Sequence, residues 1–83
     1  MANLESEISR GENAKRLLED EIFQEAFSVV RQRLIDEMMN TPVRDTEGRE
    51  FLFLAIKSLD QVKNAVVSVI ESGAMARIQL DRE

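Results

Sequence analysis

The side chains of this sequence that could carry acid–base or metal chemistry are carboxylates at helical spacing. Glu21 and Glu25 lie one helical turn apart, and Glu47 and Glu50 share a helix face. Di-iron helical bundles need Glu-x-x-His pairs on inward faces, but the chain has no His and no Cys. Carboxylate pairs in glycosidases need a gap of about 5–10 Å, which a helical hairpin does not offer. We therefore expect no catalytic residues, no metal and no cofactor.

The segment Asp45-Thr46-Glu47-Gly48 resembles the start of a calcium-binding loop. Such a loop needs clustered oxygen ligands over about twelve residues, and this match is far too short. We interpret the segment as a turn that enters a helix, with Asp45 or Thr46 as the N-cap.

Two basic clusters are the candidates for nucleic-acid contact. One contains Arg10, Lys15 and Arg16, and the other contains Arg31 and Arg33. Acidic residues interleave with both clusters. Arg31 and Arg33 are two residues apart, so they do not share a helix face. The chain also carries 11 Lys+Arg against 16 Asp+Glu, a net charge of -5, which disfavours phosphate backbones. Nucleic-acid binding is therefore a minority hypothesis.

Length and composition predict one globular domain over residues 1–83. Hydrophobic residues make up 43% of the chain and charged residues 33%. No segment has the roughly 18 apolar residues that a spanning helix needs, and the N-terminus lacks the pattern of a secretory signal. We expect a soluble, intracellular protein that does not enter a membrane.

Apolar spacing predicts two helices in the first half of the chain, over residues 4–18 and 21–40. Gly11 lies inside the first of them and weakens it by about 1 kcal/mol relative to Ala, so this helix could form two pieces. Asp20 is the expected N-cap of the second helix. Pro42 ends that helix, because the residue before proline is excluded from helical geometry.

A third helix is predicted over residues 47–72, with Gly73 closing it in a left-handed turn. Residues 74–83 then form a short tail, with alternating apolar and polar residues that suit an extended arm. The connection to the second helix is short, so the fold class is an all-α antiparallel hairpin with a short N-terminal helix. The inner seam of the third helix follows heptad spacing: Leu52, Ala55, Leu59, Val62, Val66 and Val69.

The third helix has more apolar side chains than one helical contact can cover. A lone hairpin of this size is also marginally stable, so self-association into a bundle is the preferred interpretation. The alternative is a compact monomer whose three helices absorb every apolar residue. The residues predicted to meet another chain are Phe51, Phe53, Leu54, Ile56, Val67, Ile70 and Met75.

Short motifs spread over residues 9–75 resemble a group of small helical proteins of tailed bacteriophages. They are Ser9-Arg10-Gly11-Glu12-Asn13-Ala14, Leu17-Leu18, Phe23-Gln24-Glu25-Ala26-Phe27, Thr41, Arg49-Glu50, Lys57-x-Leu59 and Gly73. Members of that group mostly lack an assigned activity, and some are encoded near packaging and head genes. The resemblance implies a viral origin, a small non-enzymatic role, and a location in the host cytoplasm or the virion.

Three functions follow as hypotheses. The first is a non-enzymatic, self-associating assembly protein that serves phage packaging or head assembly. The second is a nucleic-acid-binding packaging component, similar in role to a small terminase subunit. The third is an inhibitor of a host protein, whose acidic surface would mimic nucleic acid. The expected partners are therefore a second copy of the chain, or another phage or host protein.

Overall fold

A computed structural model describes residues 3–82 and contains three α-helices. They are α1 (Leu4–Glu19), α2 (Glu21–Asn40) and α3 (Thr46–Asp81), and no strand occurs among the described residues. The prediction of an all-α fold is confirmed.

Each helix begins at an Asn or Asp whose side chain accepts a backbone hydrogen bond from the first turn. Asn3 Oδ1 accepts from the Ser6 amide at 2.7 Å and caps α1. Asp20 Oδ1 accepts from the amide of Phe23 at 2.8 Å. Because the backbone of Asp20 is extended, this single residue both ends α1 and starts α2. Asp45 caps α3 in the same way, as expected from its place in the turn.

The two shorter helices divide the length of α3 between them. Gly11 of α1 lies against Gly73 in the C-terminal half of α3. Arg31 of α2 pairs with Asp60 in the N-terminal half. The chain therefore folds back on itself as an elongated body of 60 × 25 × 16 Å, which is mostly two helices thick.

Gly73 does not close α3, contrary to the prediction from the sequence. The helix continues through it to Asp81, and no glycine has a positive φ within the part of the chain that is described. The predicted extended arm over residues 74–83 is therefore wrong for residues 74–81, which are helical. Gly73 is buried beneath α1, so its function is close backbone approach rather than a left-handed turn.

Gly11 likewise lies within a continuous helix and does not break α1 into two pieces. It too is placed for close backbone approach. A Cβ built on Gly11 would lie 3.0 Å from the Gly73 Cα, and a Cβ built on Gly73 would lie 2.9 Å from the Gly11 Cα. Both distances are shorter than ordinary van der Waals contact. The two glycines thus let the backbones of α1 and α3 touch, and the lost helix propensity of about 1 kcal/mol at each is the cost of that approach.

The core is thin, as expected for two layers of helix. Among the described residues, the only buried apolar side chains are Ile56, at 7% exposure, and Ala76, at 2%. Ile56 lies under α2 and Ala76 in the half of α3 that α1 covers, and most other apolar side chains of the contacts are only half-buried. Such a core leaves much apolar surface in contact with water.

Arg49 fastens the connection between α2 and α3. Its Nη1 donates hydrogen bonds to the carbonyl oxygens of Pro42, at 2.9 Å, and Val43, at 2.6 Å. On the α2 side, the Thr41 hydroxyl donates to the Glu37 carbonyl at 2.7 Å. Arg49 therefore stabilises the turn locally through its hydrogen bonds to the backbone.

Candidate interaction surface

The carboxylates singled out in the sequence lie on open helix surfaces. Glu21, Glu25, Glu47 and Glu50 are all exposed. Within residues 3–82 there is no group of three or more acidic side chains placed to hold a metal ion. The four glutamates are therefore in contact with water, and Asp45 serves as a helix cap.

The basic clusters are partly neutralised by their neighbours. Lys15 Nζ lies 3.9 Å from a carboxylate oxygen of Glu19, and Arg16 donates a hydrogen bond to the Asn13 side chain. Arg77 pairs with Glu12 at 2.8 Å, which ties the C-terminal half of α3 to α1. No continuous basic face results from these pairs.

Arg31 and Asp60 form the ion pair between α2 and α3. Nε and Nη2 of Arg31 donate to the two carboxylate oxygens at 3.0 and 3.2 Å, in a bidentate arrangement. The hydrogen bond from Arg31 holds the pKa of Asp60 below its usual value, and Lys57 and Lys63 act in the same direction. The same hydrogen bond raises the pKa of Arg31. The pair marks one edge of the contact between α2 and α3.

The residues predicted to meet another chain do not form one row in the structure. Phe51, Leu54 and Met75 are well exposed, and Phe53 is half covered, with Lys57 Nζ 5.4 Å from its ring centroid. Val67 and Ile70 are half-buried.

Ile56 is the residue whose position contradicts its predicted role, because it is buried within the chain and cannot face a second copy. Conversely, Val62, which was assigned to the inner seam, is 57% exposed. The predicted division of α3 into an inner seam and a second set of residues that meets another chain fails, because α3 contacts α2 with one face and α1 with another. Of the inner seam, Val62 is therefore exposed, whereas its neighbours Leu59 and Val66 are half-buried.

The edge of the α2–α3 pair across from Arg31–Asp60 is partly exposed and carries both apolar and charged side chains. Phe27 lies beside Lys63, with Nζ 5.2 Å from the ring centroid, and Arg31 lies beside Asp60, so α2 and α3 run in opposite directions. Val30 and Leu59 each precede a member of the ion pair and therefore lie about 100° round their helices from it. In antiparallel helices this rotation leads to the same side, so both residues lie at the edge across from the ion pair.

We call this surface the open edge. It consists of two rows with heptad spacing: Ala26, Val30, Arg33 and Glu37 on α2, and Ala55, Leu59 and Val62 on α3. Val30 is 45% exposed and Val62 is 57% exposed. The opposite edge carries polar residues beside the ion pair, such as Gln24, Lys57 and Asn64, together with the half-exposed Phe53 next to Lys57. The open edge is therefore the more apolar of the two edges of the α2–α3 pair.

The row on α3 continues beyond the open edge at the same spacing, through Val66, Val69, Gly73, Ala76 and Leu80. These five residues are buried or half-buried, because α1 lies on this half of α3. Along this heptad row Val62 is exposed, whereas Ala55 and Leu59 before it and Val66 after it are half-buried. The sequence carried this signal in the 3–4 spacing, but it gave no means of knowing which half α1 would cover.

The accessible surface of the chain is larger than its mass requires. It measures 6650 Å², whereas a compact monomer of this mass exposes about 5,000 Å². The excess is about 1,600 Å². Exposed large apolar side chains contribute to it on all three helices and in the turn: Leu17, Ile22, Val29, Val30, Met39, Val43, Phe51, Phe53, Leu54, Val62, Met75 and Ile78.

In the described part of the chain, no helix combines the length and the apolar character that crossing a membrane requires. Comparisons with known protein families, with characterised proteins and with solved structures find no match to this chain.

Proposed function

We propose that this chain is a non-enzymatic assembly protein, which acts by associating with itself through apolar helix surfaces. The observation that carries the proposal is the combination of only two buried apolar side chains within residues 3–82 with an accessible surface about 1,600 Å² above that of a compact monomer. Burying apolar surface contributes about 25 cal/mol per Å², so a structure that leaves this much exposed is stabilised considerably by association.

The shape of the molecule supports the same function. A pair of helices stacked on a second pair forms a four-helix bundle, the arrangement in which helical hairpins commonly complete their cores. Here α2 and the N-terminal half of α3 form such a pair, with one apolar and one polar edge. The bundle would therefore form on the apolar edge, while the polar edge stays in water.

The setting that we propose is packaging or head assembly in a tailed bacteriophage, and it rests on the sequence resemblance. Small helical proteins that assemble without catalysis fit that setting, because a particle is built from repeated contacts between subunits. A net charge of -5 keeps the assembled surface acidic.

Mass measurement in solution over a range of concentrations tests this function. We expect sedimentation velocity to show a species of at least twice the 9.5 kDa of one chain, with dissociation on dilution. Observation of 9.5 kDa alone, at every concentration up to the millimolar range, would overturn the proposal.

A further inference from the structure

We infer that the open edge binds a second copy of this chain in a two-fold arrangement that stacks α2 on the partner's α2 and α3 on the partner's α3, each pair antiparallel. The inference rests on the proposed function and adds the surface and the geometry. Three observations support it: the charges on α2, the exposed apolar residues on α3, and the length of α3 that α1 leaves free.

The first observation is a self-complementary charge pattern. Arg33 and Glu37 lie one turn apart on the open edge, and neither forms an ion pair within residues 3–82. Basic before acidic is the less favourable order for pairing within a helix. In an antiparallel pair of α2 helices, Arg33 of each copy would meet Glu37 of the other. A two-fold contact requires such reciprocal pairing. The two-fold axis would then lie midway between Arg33 and Glu37, level with residue 35.

The second observation concerns the two apolar residues best placed on α3. Val62 is 57% exposed and Phe51 is 72% exposed, and they lie on the same side of the helix, about three turns apart. If α3 of one copy crosses α3 of the other with Val62 over Phe51, the axis lies between residues 56 and 57. The Arg31–Asp60 and Phe27–Lys63 contacts set residue 35 of α2 level with about residue 56 of α3. The two positions of the axis agree.

The third observation is the length of α3 that α1 leaves free. This part extends from the start of α3, at Thr46, to about residue 65, where the end of α1 begins to cover the helix. The middle of this interval is also near residue 56. A partner centred there would fit between the turn and the end of α1, and it would continue the seam that α1 already covers.

Closing the open edge of both copies would cover part of the excess surface of about 1,600 Å² per chain. The rest of that excess lies on α1, in the turn and on the other faces of α2 and α3.

Engineered cysteines test the geometry directly, because the chain contains no Cys of its own. In a variant with both Phe51→Cys and Val62→Cys, the two sites lie about 16 Å apart along one helix and cannot join within a chain. We expect mild oxidation to give a covalent dimer in high yield. The matched control combines Val62→Cys with Ile78→Cys, another exposed position on α3, and it should stay largely unlinked.

Charge exchange on α2 provides the second measurement. Arg33→Glu and Glu37→Arg should each weaken the dimer roughly tenfold at low salt, since each places like charges together at two symmetric positions. The double variant should recover the wild-type dissociation constant. Val62→Glu should abolish the dimer while retaining helical circular dichroism, whereas Ile78→Glu should leave it intact.

The outcomes separate this inference from the proposed function. If the wild-type chain associates but the Phe51/Val62 cysteine pair does not link and the charge variants are silent, the geometry is wrong and the assembly function stands. If the wild-type chain remains a monomer at every concentration, both proposals fail.

Discussion

The two halves of α3 are covered by different kinds of helix contact. In the C-terminal half, α1 approaches so closely that Gly11 and Gly73 touch through their backbones, and Ala76 is 2% exposed. In the N-terminal half, α2 packs through larger side chains, with Ile56 buried and an ion pair at one edge. Small residues close one contact, and bulky residues leave the other open.

This difference indicates where further contacts can form. Around the glycine contact, Leu17, Met75 and Ile78 are the large apolar side chains that stay exposed. At the other contact, Phe, Leu, Val and Ile hold the helices apart and expose their own flanks. Nine of the twelve large exposed apolar side chains of the described residues lie on α2, in the turn or in the N-terminal half of α3, so most of the apolar surface left in water is at the α2 end.

The largest expected effect is the loss of the buried side chain at the α2 contact. Ile56→Ala should destabilise the fold by about 2–5 kcal/mol, because removing a buried Ile loses its transfer free energy and leaves a cavity. Urea unfolding followed by circular dichroism, at fixed protein concentration, measures this. Leu54→Ala, two residues away and exposed, is the control and should change stability by less than about 1 kcal/mol. Equal losses in the two variants would show that Ile56 is not the core of this contact.

The second prediction concerns the glycine contact. Gly73→Ala should destabilise the fold by about 1–2 kcal/mol, because the new Cβ would lie 2.9 Å from Gly11 Cα and 3.0 Å from the Glu7 carbonyl oxygen, neither of which moves easily. Thermal unfolding measures this, and the informative result is whether the melting temperature falls or rises. Where no neighbour is close, Gly→Ala in a helix stabilises by about 1 kcal/mol. A raised melting temperature would therefore show that α1 does not touch α3 at Gly73.

Sequence reasoning captured those parts of the fold that local physics determines. The all-α class follows from apolar spacing, and the start of α2 follows from the cap at Asp20, since both depend on neighbours within about one helical turn. Gly73 was misread because a glycine near the expected end of a helix has two uses. Which use applies depends on whether Gly11, sixty-two residues earlier in the chain, lies against it.

The candidate surface could be predicted only as an excess of apolar residues. Heptad spacing identified Leu59 and Val62 as one row, but burial depends on which helix lies on each part of that row. Ile56 and Val62 were therefore given each other's environment. Assigning these two residues correctly required the angle around α3 between its contact with α2 and its contact with α1. That angle results from the packing of α1 and is not encoded in the periodicity of α3 alone.

The third prediction concerns the break between α1 and α2, which lets each helix pack in its own way. Asp20→Ala should lower stability by about 1 kcal/mol, because the amide of Phe23 loses the acceptor that holds it at 2.8 Å. Asp20→Ser restores an oxygen at the cap and should recover most of the loss. Chemical unfolding of the three proteins measures this difference. A Ser variant as unstable as the Ala variant would indicate that the charge of Asp20, rather than its capping bond, matters.

The smallest expected effect is that of the ion pair at the polar edge. The pKa of Asp60 is lowered in the folded chain, so its contribution to stability is present above the unfolded pKa of about 4 and is lost as the pH falls through the folded value. Asp60→Asn should therefore slightly reduce stability at pH 7 and flatten its decline as the pH falls below about 4. Because Arg31 and Asp60 are 41% and 36% exposed, solvent screens the pair and keeps the change small. Glu19→Gln, which removes the more exposed pair with Lys15, is the matched control and should change stability at pH 7 by no more than Asp60→Asn does. If Asp60→Asn gives the same stability and the same pH profile as the wild-type chain, the α2 contact is held by its apolar residues alone, and the contrast between the two halves of α3 depends only on the size of the side chains between the helices.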